Sequence, residues 1–205
     1  MSLHSLFATP IYAARLRAKV AQPLNRQLLR EAHQLRDDDI AGQRWSAAHY
    51  PGGYTSYGSA HRLHQMSPTV ADLQGHIDRH VARFARSLAW NLKGRRLEMT
   101  DCWINIMGKS AVHGLHLHPL SSISGTYYIR MPKGASALKF EDPRLDKMMA
   151  APPRRAAVRR ALRPWVSFPA SAGDLLLFES WLRHEVPSHA IDAERVSISF
   201  NYNWF

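Results

Sequence analysis

Apolar positions fall into two regimes along the chain. Up to about residue 95 they recur at helical spacing, and beyond it they cluster in short runs. Leu24, Leu28 and Leu35 recur at helical intervals, with Pro23 near the start of that helix and Asp37-Asp-Asp and Gly42 ending it. A second helix is clearer. Ser67-Pro68 forms an N-cap and first-turn pair, and Leu73, Ile77, Val81, Phe84 and Leu88 make one apolar stripe that Gly94 stops. Leu6-Phe-Ala-Thr-Pro-Ile-Tyr reads as a short edge strand, where Pro10 is tolerated. Residues 50–66, rich in Gly, Tyr, Ser and His, read as a long loop.

From Leu97 the texture is that of strands, dense in β-branched and aromatic residues and broken by Gly and Pro. The expected strands are Met99–Met107, Ser122–Met131, Ala137–Glu141, Trp165–Phe168, Asp174–Phe178, Leu182–Val186 and Val196–Asn203. Two helices followed by about seven short strands predict a mainly β fold, a sandwich or jelly roll buttressed by helices. Pro152–Pro164 interrupts the series as a short basic helix or an insert, in which Arg154, Arg155, Arg159, Arg160 and Arg163 could line one face.

Composition adds boundaries. A chain of 205 residues with 45% apolar and 21% charged residues suits one globular domain, with a helical buttress over about 20–95 and a β core over about 97–205. Its single cysteine, Cys102, excludes an internal disulfide and fits a reducing compartment, so a cytoplasmic location is expected. Met1–Phe7 lacks a basic region followed by a long apolar run, so no signal peptide is expected, and no stretch approaches the roughly 18 apolar residues of a membrane span. The formal net charge of +11 favours acidic or polyanionic partners, although the excess is spread along the chain as arginine and speaks of association rather than fold. A nucleic-acid-binding module is one reading of that charge, but no known reader motif accompanies it.

The strongest local chemistry is His113-Gly-Leu-His116-Leu-His118-Pro119. On an extended segment residues i and i+2 point the same way, so His116 and His118 could offer two imidazoles to one metal. His184, in Ser180-Trp-Leu-Arg-His184-Glu-Val-Pro187, is the candidate third ligand from a later strand. With 12 histidines in the chain, ordinary surface or core histidines would also give an H-x-H spacing. Arg195, Ser197, Ser199 and Asn201 alternate with Val196, Ile198 and Phe200, which makes one strand face polar. Arginine grips a carboxylate through a planar fork, so that face either points inward to bind something or outward to solvent. Ser124, Thr126 and Tyr128 share another face, where a phenol could hydrogen-bond a carboxylate or simply pack in the core.

The chain resembles the 2-oxoglutarate/Fe(II) oxygenase superfamily, and more narrowly an uncharacterised bacterial family within it. The residues that carry the resemblance are Leu6–Ile11, His116–Pro119, Ser124–Tyr128, Asp142–Arg144, Phe178–His184 and Arg195–Asn201. It is also similar to prolyl-hydroxylase-type enzymes in its Tyr-Tyr pair after the first ligands and its His-Glu-Val about ten residues before an arginine. The resemblance implies a double-stranded β-helix holding Fe(II) and 2-oxoglutarate, which reacts with O2 to hydroxylate a substrate the sequence does not identify, releasing succinate and CO2. It makes His116 the first ligand and His184 the distal one. It also makes Arg195, helped by Tyr128 and Ser197, the anchor of the far carboxylate of 2-oxoglutarate. The superfamily has Asp or Glu where this chain has His118. Either His118 ligates as a third histidine, or water or an anion fills that position, or Glu141 or Asp142 supplies a carboxylate. The first is preferred because the i, i+2 geometry is already right. The loop at 50–66, with His49, Tyr50, Tyr54, Tyr57, His61 and His64, could form the substrate mouth. A jelly roll that binds Zn or Ni without redox chemistry is the competing class, and in it Arg195 would have no reason to face the metal.

Overall fold

The computed structural model describes residue 2, residue 4 and residues 6–205. Met1, Leu3 and Ser5 lie outside the described residues, so the expectation for the Met1–Phe7 segment falls partly there. The chain runs through β1 (Tyr12–Arg15), α1 (Ala18–Asp38), α2 (Ile40–His49), β2 (Gly53–Thr55), α3 (Leu63–Met66) and α4 (Pro68–Ser87). It continues through β3 (Leu97–Met107), β4 (His113–His116), β5 (Ile123–Arg130), β6 (Leu138–Glu141), β7 (Trp165–Phe168), β8 (Asp174–Glu179), β9 (His184–Val186) and β10 (Arg195–Trp204). The strands form two antiparallel sheets in the orders β1-β8-β5-β10-β3-β2 and β4-β9-β6-β7. This is the expected mainly β, double-stranded β-helix architecture.

Alternation along each strand sorts the residues. In β10, Val196, Ile198, Phe200 and Tyr202 join the core cluster that contains Leu24 and Leu28 of α1 and Leu73, Ile77, Val81 and Phe84 of α4. The helices therefore cover the outer face of the six-stranded sheet. Specific bonds fix their seats. Tyr127 donates to Asn25 Oδ1 at 2.7 Å, and Tyr202 donates to Asp78 Oδ1 at 2.5 Å. The opposite set, with Tyr128, Leu176 and Phe178, faces Leu138, Phe140 and Val186 of the smaller sheet. Each large side chain buried in these layers contributes roughly 2–3 kcal/mol.

α4 begins as the sequence predicts, because the Ser67 hydroxyl accepts from Val70 N at 3.1 Å and Pro68 occupies the first turn. It ends at Ser87, before Gly94. Pro23 sits inside α1, which begins five residues earlier than that proline would suggest. Two expectations fail. The first strand is Tyr12–Arg15 rather than residues 6–12, because it is residues 12–15 that pair with β8. Residues 50–66 are not a plain loop, since β2 pairs with β3 there and Tyr50, Tyr54 and His64 are buried. Of the two readings of residues 152–164, the basic helix is not formed and the insert stands, with a single 3-10 turn at Arg160–Leu162 between β6 and β7. Among the described residues no helix is long and apolar enough to cross a membrane.

Candidate metal centre and anion pocket

Strand pairing brings the three histidines together. β4 runs beside β9 with His116 opposite His184, and His118 follows two residues after His116. One ring nitrogen from each of His116, His118 and His184 lies within 4.8 Å of the others, and the Nε2 atoms of His116 and His118 are 3.2 Å apart. Neighbouring nitrogens about 2.1 Å from one ion sit roughly 3 Å apart, so this spacing suits adjacent ligands.

What each ring does with its other nitrogen is more informative. His116 Nδ1 lies 2.7 Å from the Gly114 carbonyl and His184 Nδ1 lies 2.9 Å from the Leu182 carbonyl. A carbonyl only accepts, so each Nδ1 donates and leaves the Nε2 lone pair free. His118 Nδ1 makes the same bond at 2.6 Å to the amide oxygen of Asn201, which also receives the Ser124 hydroxyl at 2.8 Å. All three imidazoles are thus oriented as metal-binding histidines are, with the second nitrogen tied back. Burial, followed by the charge of His116, holds His184 down at about 3. Burial likewise holds His118 at about 4 against the pull of its Asn201 bond. Both rings are neutral at ordinary pH, as ligation requires.

The alternative carboxylates are engaged elsewhere. Glu141 pairs with Arg183 at 2.8 Å, and Asp142 makes a two-pronged contact with Arg144 at 2.9 and 2.8 Å. No carboxylate joins the three histidines among the described residues.

The polar face of β10 points inward. Arg195, Ser197 and Asn201 are buried, and Arg195 and Ser197 line one cavity with His116, His118 and His184. Cross-strand register sets Ser197 beside Tyr128 and Asn201 beside Ser124. Arg195 is 2% exposed, yet no carboxylate lies within 4.0 Å of it among the described residues. Its Nη1 donates to Ser197 Oγ at 3.3 Å and to Met107 Sδ at 3.2 Å, its Nε has no partner, and its guanidinium lies 5.1 Å from the Tyr128 ring centre. The Tyr128 hydroxyl is also buried and unpartnered. A buried charge without a counter-charge is costly, and an anion entering the cavity would remove that cost. The donors therefore fit a metal of borderline softness and a carboxylate at the Arg195 end, which is the pattern of a metal-chelating diacid such as 2-oxoglutarate.

The sequence reading named His116, His118, His184, Arg195, Tyr128 and Ser197, and the fold gathers all six in this region. It passed over Asn201 as the orienting partner of His118. The alternation of β10 placed Asn201 on the right face, but the contact joins residues 83 apart and only the β5–β10 pairing makes it.

Residues 101–201 match the family described as "Putative 2OG-Fe(II) oxygenase". No curated protein matches the sequence. Among solved structures, HygX from Streptomyces hygroscopicus with nickel and 2-oxoglutarate bound is similar at a TM-score of 0.63 and 14% identity, over 96% of this chain and 83% of that one. A Pseudomonas putida prolyl-4-hydroxylase is similar at 0.57 and 14%, over 95% and 92% of the two chains. The epimerase SnoN, in complex with Fe3+, alpha ketoglutarate and nogalamycin RO, is similar at 0.61 and 14%, over 93% and 78%. At such identities the likeness is one of fold.

Proposed function

We infer, from the match of residues 101–201 to a 2OG-Fe(II) oxygenase family, that the protein is an Fe(II)- and 2-oxoglutarate-dependent dioxygenase that hydroxylates a substrate, with His116, His118 and His184 as its metal ligands. The observation that carries the reading is that three Nε2 lone pairs and one buried, unpaired arginine share a single cavity. Iron with 2-oxoglutarate supplies oxidising power from O2, with succinate and CO2 as the by-products. The chain's own residues bind and orient. Asn201 and the carbonyls of Gly114 and Leu182 hold the imidazoles in the ligating tautomer. Arg195 and Tyr128 offer donors to the distal carboxylate, and Ser197 steadies the guanidinium by accepting from its Nη1. Three imidazoles contribute no negative charge, so the charge that offsets a divalent metal and Arg195 comes from the diacid itself. A non-redox metal protein would not need the unpaired Arg195 beside the histidines.

The helices at about 20–95 and the sheets at about 97–205 act together as one domain in this reading. Cys102, buried as a free thiol, and a labile Fe(II) both suit the cytoplasm. The net charge of +11 favours an acidic substrate, whose KM would rise steeply with salt.

The test is aerobic incubation of the iron-loaded protein with 2-oxoglutarate, measuring succinate. Wild type is expected to form succinate slowly even without substrate. His184→Ala should abolish the reaction, and Arg195→Ala should raise the KM for 2-oxoglutarate at least about tenfold. Succinate formation that persists in His184→Ala would contradict the assignment.

A further inference from the structure

Two more polar side chains end near Arg195 with nothing to bond. Tyr50, at the C-terminal cap of α2, is 3% exposed and its hydroxyl has no partner. His113, the first residue of β4, lines the same cavity as the metal-binding histidines and has its Nε2 buried and unpartnered. The two rings pack with centroids 4.2 Å apart. Tyr50 shares its core cluster with Tyr128 and Met107, and Met107 accepts from Arg195. The charge of Arg195 is felt at both groups. Burial pushes the Tyr50 hydroxyl up and Arg195 offsets part of that rise, while burial, followed by the charge of Arg195, holds His113 down at about 3.

Buried polar atoms without partners are rare in folded proteins. Here Arg195 Nε, the hydroxyl of Tyr128 whose ring lies beside it, His113 Nε2 in the same cavity and the hydroxyl of Tyr50, whose ring packs on His113, all lack partners. A single water could accept from no more than two of them and would leave the arginine charge unbalanced. A carboxylate has two oxygens with about four acceptor sites, and it carries the missing charge.

We propose that Tyr50 and His113 complete the cradle of the distal carboxylate, donating to it from the phenol and from the imidazole N–H while Arg195 supplies the charge. This rests on the oxygenase reading above and adds two binding residues to it. One consequence concerns the segment at 50–66. Its first residue serves the co-substrate from inside the fold, whatever its exposed residues do at the mouth. The other concerns selectivity. Neutral donors around a lone positive charge favour a keto acid that ends in a carboxylate over one of equal length that ends in a methyl group.

The experiment uses the full chain loaded with Ni(II), titrated calorimetrically with 2-oxoglutarate and with 2-oxopentanoate, which keeps the keto-acid head but lacks the distal carboxylate. Tyr50→Phe and His113→Phe are each expected to weaken 2-oxoglutarate binding about tenfold. Nickel stoichiometry and 2-oxopentanoate affinity should stay unchanged. His113→Gln, which keeps an N–H donor, should recover most of the loss. Affinity for 2-oxoglutarate within about twofold of wild type in both Phe variants, with Arg195→Ala impaired, would overturn this proposal and leave the oxygenase reading standing. Equal weakening of both ligands would also overturn it, because that marks a structural role. Failure of the nickel-loaded wild type to bind 2-oxoglutarate at all would remove both.

Discussion

Asn201 decides which nitrogen of His118 faces the cavity. Its amide oxygen accepts from Nδ1 at 2.6 Å and from the Ser124 hydroxyl at 2.8 Å, so it is held while it holds the ring. Removing that oxygen frees the imidazole to rotate or change tautomer. Asn201→Ala is expected to lower metal affinity about 10–100-fold in a chelator competition, whereas Asn201→Asp, which keeps an acceptor, should lose much less. A second expectation concerns pH. His113, His118 and His184 are held at about 3, 4 and 3, with burial the first cause in each. In the unfolded chain they take up protons near pH 6.5. Their contribution to stability is therefore complete above that pH and is lost as pH falls toward 4. Denaturant titrations of the metal-free protein should show stability falling from pH 7 to pH 5, by at most roughly 1 kcal/mol per histidine per pH unit. A flat profile would show that the rings are not buried in neutral form. The i, i+2 spacing of His116 and His118 was legible because strand geometry is local. The grouping of Tyr50 and His113 on the side of Arg195 was not, because Arg195 is more than 80 residues from either in sequence.

At the scale of elements, period-two alternation did most of the work. β10 reads polar and apolar by turns, and the fold turns its polar row into the barrel and its apolar row onto α1 and α4. The alternation alone could not say which row faces inward. That depends on the helices, which cover the outer face of the six-stranded sheet and so claim its apolar row. α4 was legible from its cap and stripe. α2 was not, since it buries only Gly42 and Ser46 and has no apolar stripe. β4 carries Gly114 and two histidines, which look unlike a strand until β9 pairs with it. Gly125 offers a sharp test of how β5 meets β10. A Cβ there would come within 2.5 Å of the Phe200 ring and 2.7 Å of the Leu176 carbonyl. Gly125→Ala should destabilise the protein by roughly 1–3 kcal/mol in equilibrium unfolding. It should also impair metal binding, because Ser124 and Thr126 on either side face the site. An unchanged unfolding midpoint would show that this packing is looser than described.

Taken whole, the molecule is a helix-backed β sandwich whose inner space holds a trio of histidines near one arginine that has no carboxylate partner among the described residues. The features that matter for function come from distant parts of the chain. In the proposed reading the cap of α2 supplies Tyr50, β4 and the turn after it supply two ligands, β9 supplies the third, and β5 and β10 supply the anion donors. The fold class was legible because it follows from the count and spacing of strands. The electrostatics of the cavity were not, because an unpaired arginine is visible only once its neighbours are known. The most direct measurement is an anaerobic titration of the Fe(II)-loaded protein with 2-oxoglutarate, followed through the weak visible metal-to-ligand charge-transfer band, in wild type and Arg195→Ala. The account requires a saturable band in wild type that is lost or greatly weakened in the variant. The absence of a band in iron-replete wild type, or an equal band at equal affinity in Arg195→Ala, would contradict it.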